Sequence, residues 1–161
     1  MTKKINLNFI NYTNFKYDKK IINKIFEILL NNNEVYSLSC LSDKDFKILE
    51  TDFVFCNDEF IHKINKEYRK KDCPTDVITF ALFCDDNNST VQKNINLGEI
   101  IISVDTANKQ AKDNKHSLEK EICYLICHGV LHLLGFDHLT EEEYNFMVNI
   151  QNAVMEKLNY D

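Results

Sequence analysis

Hydrophobic and polar positions repeat with two different periods along this chain, and each period predicts a different kind of element. Near the start, Ile5, Leu7 and Phe9 alternate with polar residues, the spacing of a half-buried strand. Apolar residues then recur at helical spacing over residues 18–31, and the asparagine run at residues 31–33 ends that helix. The chain is therefore predicted to begin with a strand followed by a helix.

The next segment carries a short helix, a strand and a longer helix. Residues 42–50 predict the short helix, which leads into a compact apolar strand at residues 53–56. Apolar side chains at helical spacing then predict a helix over residues 58–69. Asp58 and Glu59 lie in its first turn, where the helix dipole favours acidic side chains.

Two further strands and two further helices follow. Residues 77–83 and 97–104 are rich in β-branched and aromatic side chains, which is typical of strands, and a polar loop containing residues 85–88 joins them. Helical periodicity then predicts helices over residues 106–115 and 118–134.

The last helix has the clearest start. Thr140 and Glu143 have the spacing of a capping box. The chain has one Pro and three Gly and shows no repeat or linker, so residues 1–161 are predicted to form a single domain. We expect an α+β fold, with a four-stranded mixed sheet packed against about five helices that cover one side of it.

Composition excludes several classes of protein. Hydrophobic residues make up 44% and charged residues 27%, as in an ordinary globular domain. With 19 basic and 25 acidic residues the formal charge is -6, so any contact with nucleic acid has to be local. No apolar run approaches the ~18 residues of a membrane span, and the N-terminus lacks a signal peptide's apolar run, so we expect no membrane association and no secretion.

Cysteine usage favours a reducing compartment. The chain has six cysteines and no C-x-x-C pair, and several cysteines lie in apolar runs. We therefore expect thiols in the cytoplasm, not a disulfide framework. Cys123 and Cys127 are predicted to be buried thiols turned away from any metal, by about 100° around their helix from the nearby histidines.

Three of the five histidines lie within eleven residues, and their spacing predicts a metal site. His128 and His132 are four apart, so on a helix they project from one face, about 40° apart in azimuth and about 6 Å apart in height. Gly135 lies where a left-handed residue would end the helix and bring His138 back toward the pair. The alternative is three histidines without metal. Lone His62 and His116 are better explained as solvated residues.

Three neutral imidazoles suit Zn²⁺, and a fourth position left for water is the mark of a catalytic site. The spacing equals that of the zincin peptidase motif, but Gly129 stands where the catalytic glutamate should be. Peptide hydrolysis by that route is therefore disfavoured. Asp137 is the nearest carboxylate, and it can support a ligand histidine, act as a base or stabilise the turn.

The densest positive patch in this acidic chain lies at the end of the 58–69 helix. It consists of Lys63, Lys66, Arg69, Lys70 and Lys71. The sequence contains 18 Lys and a single Arg, and a guanidinium offers the planar fork that matches phosphate oxygens. Phosphate recognition and a solvated basic helix end are both consistent with this pattern.

Together these segments resemble the YbeY-type endoribonucleases, rRNA maturation factors of bacteria and organelles. The family pattern H-G-x-L-H-L-x-G-[YF]-D-H matches residues 128–138 at every specified position. A second pattern, Y-R-x-K-D-x-P-T-D-V-L-S-F, matches residues 68–80 except at Ile78 and Thr79. A third, G-D-I-x-I-S-x-D-T-A, matches residues 98–107 with Glu99 in place of aspartate.

The resemblance implies a metallohydrolase-like fold and a zinc-dependent endoribonuclease specific for single-stranded RNA. It implies one Zn²⁺ per chain on His128, His132 and His138, which with Arg69 would form the catalytic set. It also implies RNA binding along one basic surface, formed by Lys63, Lys66, Arg69 and Lys70. The expected role is maturation of the 3′ end of 16S-type rRNA and ribosome quality control.

The expected partners are single-stranded ribosomal RNA and the small ribosomal subunit or its proteins, without DNA or membrane. The expected compartment is the cytoplasm or an organelle of bacterial origin. The main rival is a ribosome-assembly binding factor in which the zinc is structural. A zinc peptidase is a distant third hypothesis.

Overall fold

The computed structural model describes residues 3–85 and 93–160, which form an α+β fold of four strands and seven helices. The strands are β1 (Lys4–Asn11), β2 (Ile48–Cys56), β3 (Val77–Ala81) and β4 (Asn94–Ser103). The helices are α1 (Lys19–Asn31), α2 (Asn33–Leu38), α3 (Asp58–Arg69), α4 (Leu82–Asp85), α5 (Val104–Asp113), α6 (Leu118–Leu133) and α7 (Glu141–Lys157). Of the predicted 85–88 loop, residues 86–88 lie outside the described residues.

The predicted mixed sheet is confirmed, in the order β1-β2-β4-β3. β1 and β4 both run parallel to β2, whereas β3 pairs antiparallel with β4 and forms one edge. The pairing of β3 ends opposite Gly98, next to a register irregularity between β2 and β4. An added Cβ on Gly98 would lie 1.8 Å from the Phe80 carbonyl oxygen, so only glycine allows the two strands to approach this closely.

Helices cover both faces of the sheet, not one side only as expected. The main core joins α1, α6 and α7 to one face, where Phe53 and Phe55 of β2 are buried. On the opposite face, Ile61 of α3 packs against Val54 and Ile101 in a smaller cluster. Alternate β2 side chains therefore enter different cores, as a strand with two covered faces requires.

The predicted 42–50 helix is wrong. Ile48 to Glu50 belong to β2, and fully buried Leu49 pairs with Ile5 on one side and Ile95 on the other. Pairing with two neighbouring strands outweighs a weak local helical pattern, because it satisfies backbone hydrogen bonds on both sides of the segment.

Two short helices were not predicted. The asparagines at the end of α1 also start α2, because the Asn32 side chain accepts hydrogen bonds from the Glu34 and Val35 amides. The predicted 77–83 strand ends at Ala81, and α4 follows it. The capping box of Thr140 and Glu143 at the start of α7 is confirmed.

The expectation of thiols in place of a disulfide framework is corrected for one pair of cysteines. Cys40 and Cys84 form a disulfide with a Cα–Cα distance of 5.9 Å. They are 44 residues apart and meet only because the fold brings the end of α2 next to α4, a proximity that sequence spacing does not encode. Buried Cys123 and Cys127 are free thiols, as predicted. No helix within the described ranges is both long enough and apolar enough to span a membrane.

Candidate metal centre

Three imidazoles converge at the C-terminal end of α6. His128 and His132 lie one turn apart on this helix, and His138 follows the turn after it. One ring nitrogen of each lies within 4.8 Å of the other two. The Nε2 atoms of His128 and His132 are 2.9 Å apart. This cluster can therefore hold a metal ion.

The turn after α6 brings the third histidine back. Gly135 has a φ of 100°, its N–H donates to the His132 carbonyl oxygen, and the Phe136 N–H donates to the Leu131 carbonyl oxygen. This pair of bonds is a Schellman motif, whose left-handed position favours glycine. The prediction that Gly135 ends the helix and reverses the chain is confirmed.

Two of the three imidazole rings have an oxygen atom within hydrogen-bond distance of Nδ1. The Phe136 carbonyl oxygen lies 2.9 Å from His132 Nδ1, and Gln151 Oε1 lies 3.3 Å from His128 Nδ1. Because these oxygens only accept, each Nδ1 carries the hydrogen and each Nε2 keeps its lone pair. Two lone pairs facing each other at 2.9 Å repel unless a cation lies between them, so the donor set fits a metal ion.

Burial keeps these imidazoles neutral. It lowers the pKa of His128, and burial together with the charge of neighbouring His128 lowers the pKa of His132 to about 4. A protonated imidazole cannot bind a metal, whereas a neutral one offers a nitrogen lone pair. The two helical histidines are therefore in their metal-binding form near neutral pH.

A pocket of about 180 Å³ opens in front of the histidines. Arg69 and residues of β3 and the segment before it complete its wall, namely Thr75, Asp76, Val77 and Thr79. The guanidinium-bearing side chain of Arg69 therefore lines the same small pocket as three potential metal ligands.

The end of α3 places Arg69 at this pocket. Lys70 adopts a left-handed conformation with a φ of 59°, and its N–H caps the helix on the Asn65 carbonyl oxygen. The buried Asn65 amide then donates to the Cys73 carbonyl oxygen, and His62 Nε2 lies 2.7 Å from Asp72 Oδ1. These bonds fold the segment after α3 back, so Arg69 and Asp76 meet at one wall.

The predicted RNA-binding lysines lie on α3 and directly after it, outside the pocket. Lys63 pairs with Glu59 at 3.4 Å, Lys66 pairs with Asp72 at 3.7 Å, and Lys70 Nζ donates to the Glu67 carbonyl oxygen. All three are exposed, and the pocket wall includes none of them. The structure therefore brings Arg69, but not the lysines, to the histidines.

Asp76 was missed as a site residue by the sequence reasoning. Its Oδ1 accepts hydrogen bonds from the Val77 N–H at 2.7 Å and the Thr75 hydroxyl at 3.3 Å, and its Oδ2 accepts one from Gln110 Nε2 at 3.1 Å. The 68–80 pattern pointed to Asp76, but nothing local pointed to Gln110 or to Gln151. Asp137 stabilises the turn, since its Oδ1 accepts the His138 N–H at 2.8 Å.

Gly129 faces the sheet instead of the pocket. An added Cβ would lie 3.2 Å from the Ile100 side chain and 3.3 Å from Thr79 Cγ2. The position of the zincin glutamate is therefore filled by close helix–sheet packing, which explains why no carboxylate stands there.

The remaining two histidines have acidic partners. His62 is 40% exposed and pairs with Asp72, in keeping with a helix-face residue. His116 was expected to be solvated, but it is largely buried and hydrogen-bonds the carboxylate of Glu121, which is also buried. A buried carboxylate needs such a partner, and that requirement explains the burial of His116.

Comparisons with known proteins give matches over most of this chain. A family model described as Endoribonuclease YbeY matches residues 8–159. A protein of that name from Prochlorococcus marinus is 41% identical over 128 residues, which cover 79% of this chain and 63% of the relative's length. A protein of the same name from Bacillus licheniformis is 47% identical, and the match covers 67% of this chain and 71% of that protein. Another from Caldicellulosiruptor saccharolyticus is 35% identical, and the match covers 88% of this chain and 89% of that protein.

One solved structure supports the fold. A solution structure of a Thermotoga maritima protein superposes with a TM-score of 0.55 at 21% sequence identity, covering 98% of this chain and 92% of that one. The likeness concerns the arrangement of strands and helices.

Proposed function

This chain belongs to the YbeY endoribonuclease family, and on that basis we propose that it is a zinc-dependent endoribonuclease that cleaves phosphodiester bonds in single-stranded RNA. The observation that carries the proposal is the meeting of Arg69 with three convergent imidazoles in one pocket. Phosphodiester cleavage requires stabilisation of negative charge on phosphoryl oxygens. In this pocket Arg69 would stabilise that charge from one side, and a metal ion held by the three histidines would stabilise it from the other.

His128, His132 and His138 are the proposed metal ligands. Three imidazole nitrogens suit Zn²⁺, and a structural zinc site would need a fourth protein ligand, whereas this cluster has three histidines beside an open pocket. Bound there, the metal would supply a Lewis acid that polarises a phosphoryl oxygen. The hydrogen bonds behind His128 and His132 keep the ring orientations fixed for that purpose.

Arg69 is the proposed phosphate-binding residue. Its guanidinium donates in a planar fork to two phosphate oxygens at once, which orients the phosphate relative to the histidines. The Asp76 carboxylate on the same wall is held by the Gln110 amide from α5, so its negative charge stays fixed near the histidines, where it favours a bound cation.

The small pocket and its position favour an unpaired strand. It borders β3, an edge strand of the sheet, and has a volume of about 180 Å³. A flexible single strand can turn one phosphate into such a space without opening base pairs, whereas a duplex holds its phosphates on a stiff surface.

The lysines of α3 and of the residue after it extend the proposed RNA path beyond the pocket. Lys63, Lys66 and Lys70 are exposed and lie outside the pocket wall that includes Arg69. The carboxylates that pair with Lys63 and Lys66 are exposed as well, and exposed pairs contribute little, so RNA phosphates can replace those carboxylates. Contact with RNA is then confined to this face of an otherwise acidic chain.

The proposed substrate in the cell is ribosomal RNA. The patterns at residues 68–80 and 128–138 that resemble the family support a role in 3′-end maturation of 16S-type rRNA and in ribosome quality control, in the cytoplasm or an organelle of bacterial origin. The small ribosomal subunit or its proteins are the proposed partners.

A cleavage assay tests the proposal. Zinc-loaded wild type, His132→Ala and Asn145→Ala, a control at an exposed position of α7, are incubated with a single-stranded RNA and with the same RNA in a duplex. We expect wild type and Asn145→Ala to cut the single strand, and His132→Ala to lose about 100-fold or more in rate. Equal trace cleavage by wild type and His132→Ala, with RNA still bound, would support the assembly factor with structural zinc instead.

A further inference from the structure

We propose that Gln151 is a positioning residue for the metal centre, which holds the His128 ring in its ligating orientation at the expense of core stability. This inference rests on the proposed metal site and adds a residue from α7, a helix that contributes nothing to the pocket wall described above. Gln151 is 1% exposed and lies 23 positions along the chain from its histidine partner.

The contact joins two helices through one hydrogen bond. Gln151 Oε1 faces His128 Nδ1 at 3.3 Å, so the ring's hydrogen is held on the nitrogen away from the pocket. The Phe136 carbonyl oxygen does the same for His132 at 2.9 Å. Two of the three proposed ligands therefore have the same kind of support, one from the backbone and one from a side chain.

Packing alone gives no reason for a glutamine here. The other buried residues of α7 are Met147, Ile150, Val154 and Met155, all apolar. Gln151 Nε2 is buried and has no hydrogen-bond partner among the described residues, an arrangement that destabilises the fold. An apolar side chain of the same length would remove that penalty, so the amide is best explained by its oxygen, which meets His128.

Two substitutions of Gln151 separate its effect on zinc affinity from its effect on the stability of the fold. Gln151→Met keeps the length and removes the acceptor, whereas Gln151→Glu keeps an acceptor oxygen. Met155→Leu, one turn further along α7 and buried, is the matched control for core packing. Zinc affinity is measured with Zn²⁺ alone by chelator competition, and thermal unfolding is measured on the metal-free proteins.

For Gln151→Met we expect unchanged or higher thermal stability without metal and a zinc affinity about 10-fold to 100-fold lower. Gln151→Glu should retain zinc affinity while lowering metal-free stability, because a carboxylate is buried without its cation. Met155→Leu should leave zinc affinity unchanged. In a His128→Ala background, Gln151→Met should weaken zinc binding no further, since the effect passes through that ring.

Undiminished zinc affinity in folded Gln151→Met would overturn the inference, as would an equal loss in the His128→Ala background. If Gln151→Met does not fold, loss of zinc affinity in folded Gln151→Glu overturns it as well. Failure of the wild type itself to bind zinc would instead contradict the metal site on which the proposed function depends, so the two failures are distinguishable.

Discussion

His128 and His132 turn their Nε2 atoms toward each other at 2.9 Å, because an oxygen atom holds the opposite nitrogen of each ring. This arrangement brings two unprotonated nitrogens to a place where one cation can accept both lone pairs. Together with His138, the pair forms a set of imidazole donors that can hold a metal ion.

Purified protein supplemented with zinc should contain one equivalent of Zn²⁺, and a His128→Ala/His132→Ala double variant should contain almost none. Elemental analysis after gel filtration measures this. His62→Ala is the control, because His62 pairs with Asp72 outside the pocket. Equal zinc in the double variant and wild type would contradict the assignment of the ligands.

Arg69→Lys keeps the positive charge and loses the planar fork. We expect cleavage of single-stranded RNA to fall about 10-fold to 100-fold with zinc fully bound, because a single ammonium cannot hold two phosphate oxygens in register. Lys63→Ala should instead weaken RNA binding and reduce its salt dependence, as expected for a point charge along the backbone. Equal cleavage rates for wild type and Arg69→Lys would make Arg69 a solvated helix-end residue.

The metal-free protein should lose stability as the pH falls from about 6.5 toward 4. The pKa of His132 is about 4 in the folded chain against an ordinary value of 6.5, so over this range the unfolded state takes up a proton that the folded state refuses. Burial shifts the pKa of His128 in the same direction. Urea unfolding of chelator-treated protein at several pH values measures how the free energy of unfolding depends on pH.

His132→Gln should flatten that pH dependence, whereas Asn145→Gln, at an exposed and uncharged position of α7, should leave it as in wild type. If the free energy of unfolding falls equally steeply with falling pH in wild type and His132→Gln, other groups cause the acid sensitivity.

Gly135→Ala should destabilise the fold by about 1–2 kcal/mol, because a φ of 100° is unfavourable for a residue with a Cβ. Space is not the cause, since the added Cβ would meet its nearest neighbour, Cys84 Sγ, at an ordinary 3.5 Å. We also expect weaker zinc binding, because the turn places His138. Thermal unfolding and chelator competition measure the two effects. Asn145→Ala, at an exposed position of α7, is the control. An unchanged zinc affinity in Gly135→Ala would contradict the role of this turn in placing His138 for zinc binding.

Thiol reactivity should distinguish the six cysteines. Exposed Cys73 should react first under native conditions, while burial raises the pKa of Cys56 to about 12, that of Cys123 to about 11 and that of Cys127 still further. Mass spectrometry after alkylation should show one fast site in the folded protein. Unfolding without reductant should expose four thiols, and adding reductant should expose the two of the Cys40–Cys84 disulfide. Six thiols without reductant would contradict the disulfide.

Local patterns in the sequence were sufficient for most helices and for the three candidate ligands. His128 and His132 share a face because they are four positions apart on one helix, and Gly135 reverses the chain through hydrogen bonds within six residues. The capping box of Thr140 likewise depends on neighbours three positions away. Interactions of this kind involve a few consecutive residues, so spacing and residue type specify them.

Only the tertiary structure decided the features that join distant segments. Leu49 lies in a strand because β1 and β4 hydrogen-bond to both sides of its backbone, and Cys40 meets Cys84 across 44 positions. Gln110 reaches Asp76 from α5, and Gln151 reaches His128 from α7. An isolated glutamine carries no periodic or spacing signal, because its role comes from the polar atom that the packed fold places opposite it. The sequence by itself therefore identified the residues that can bind a metal, and the packing of α5 and α7 determined which side chains hold the site in position.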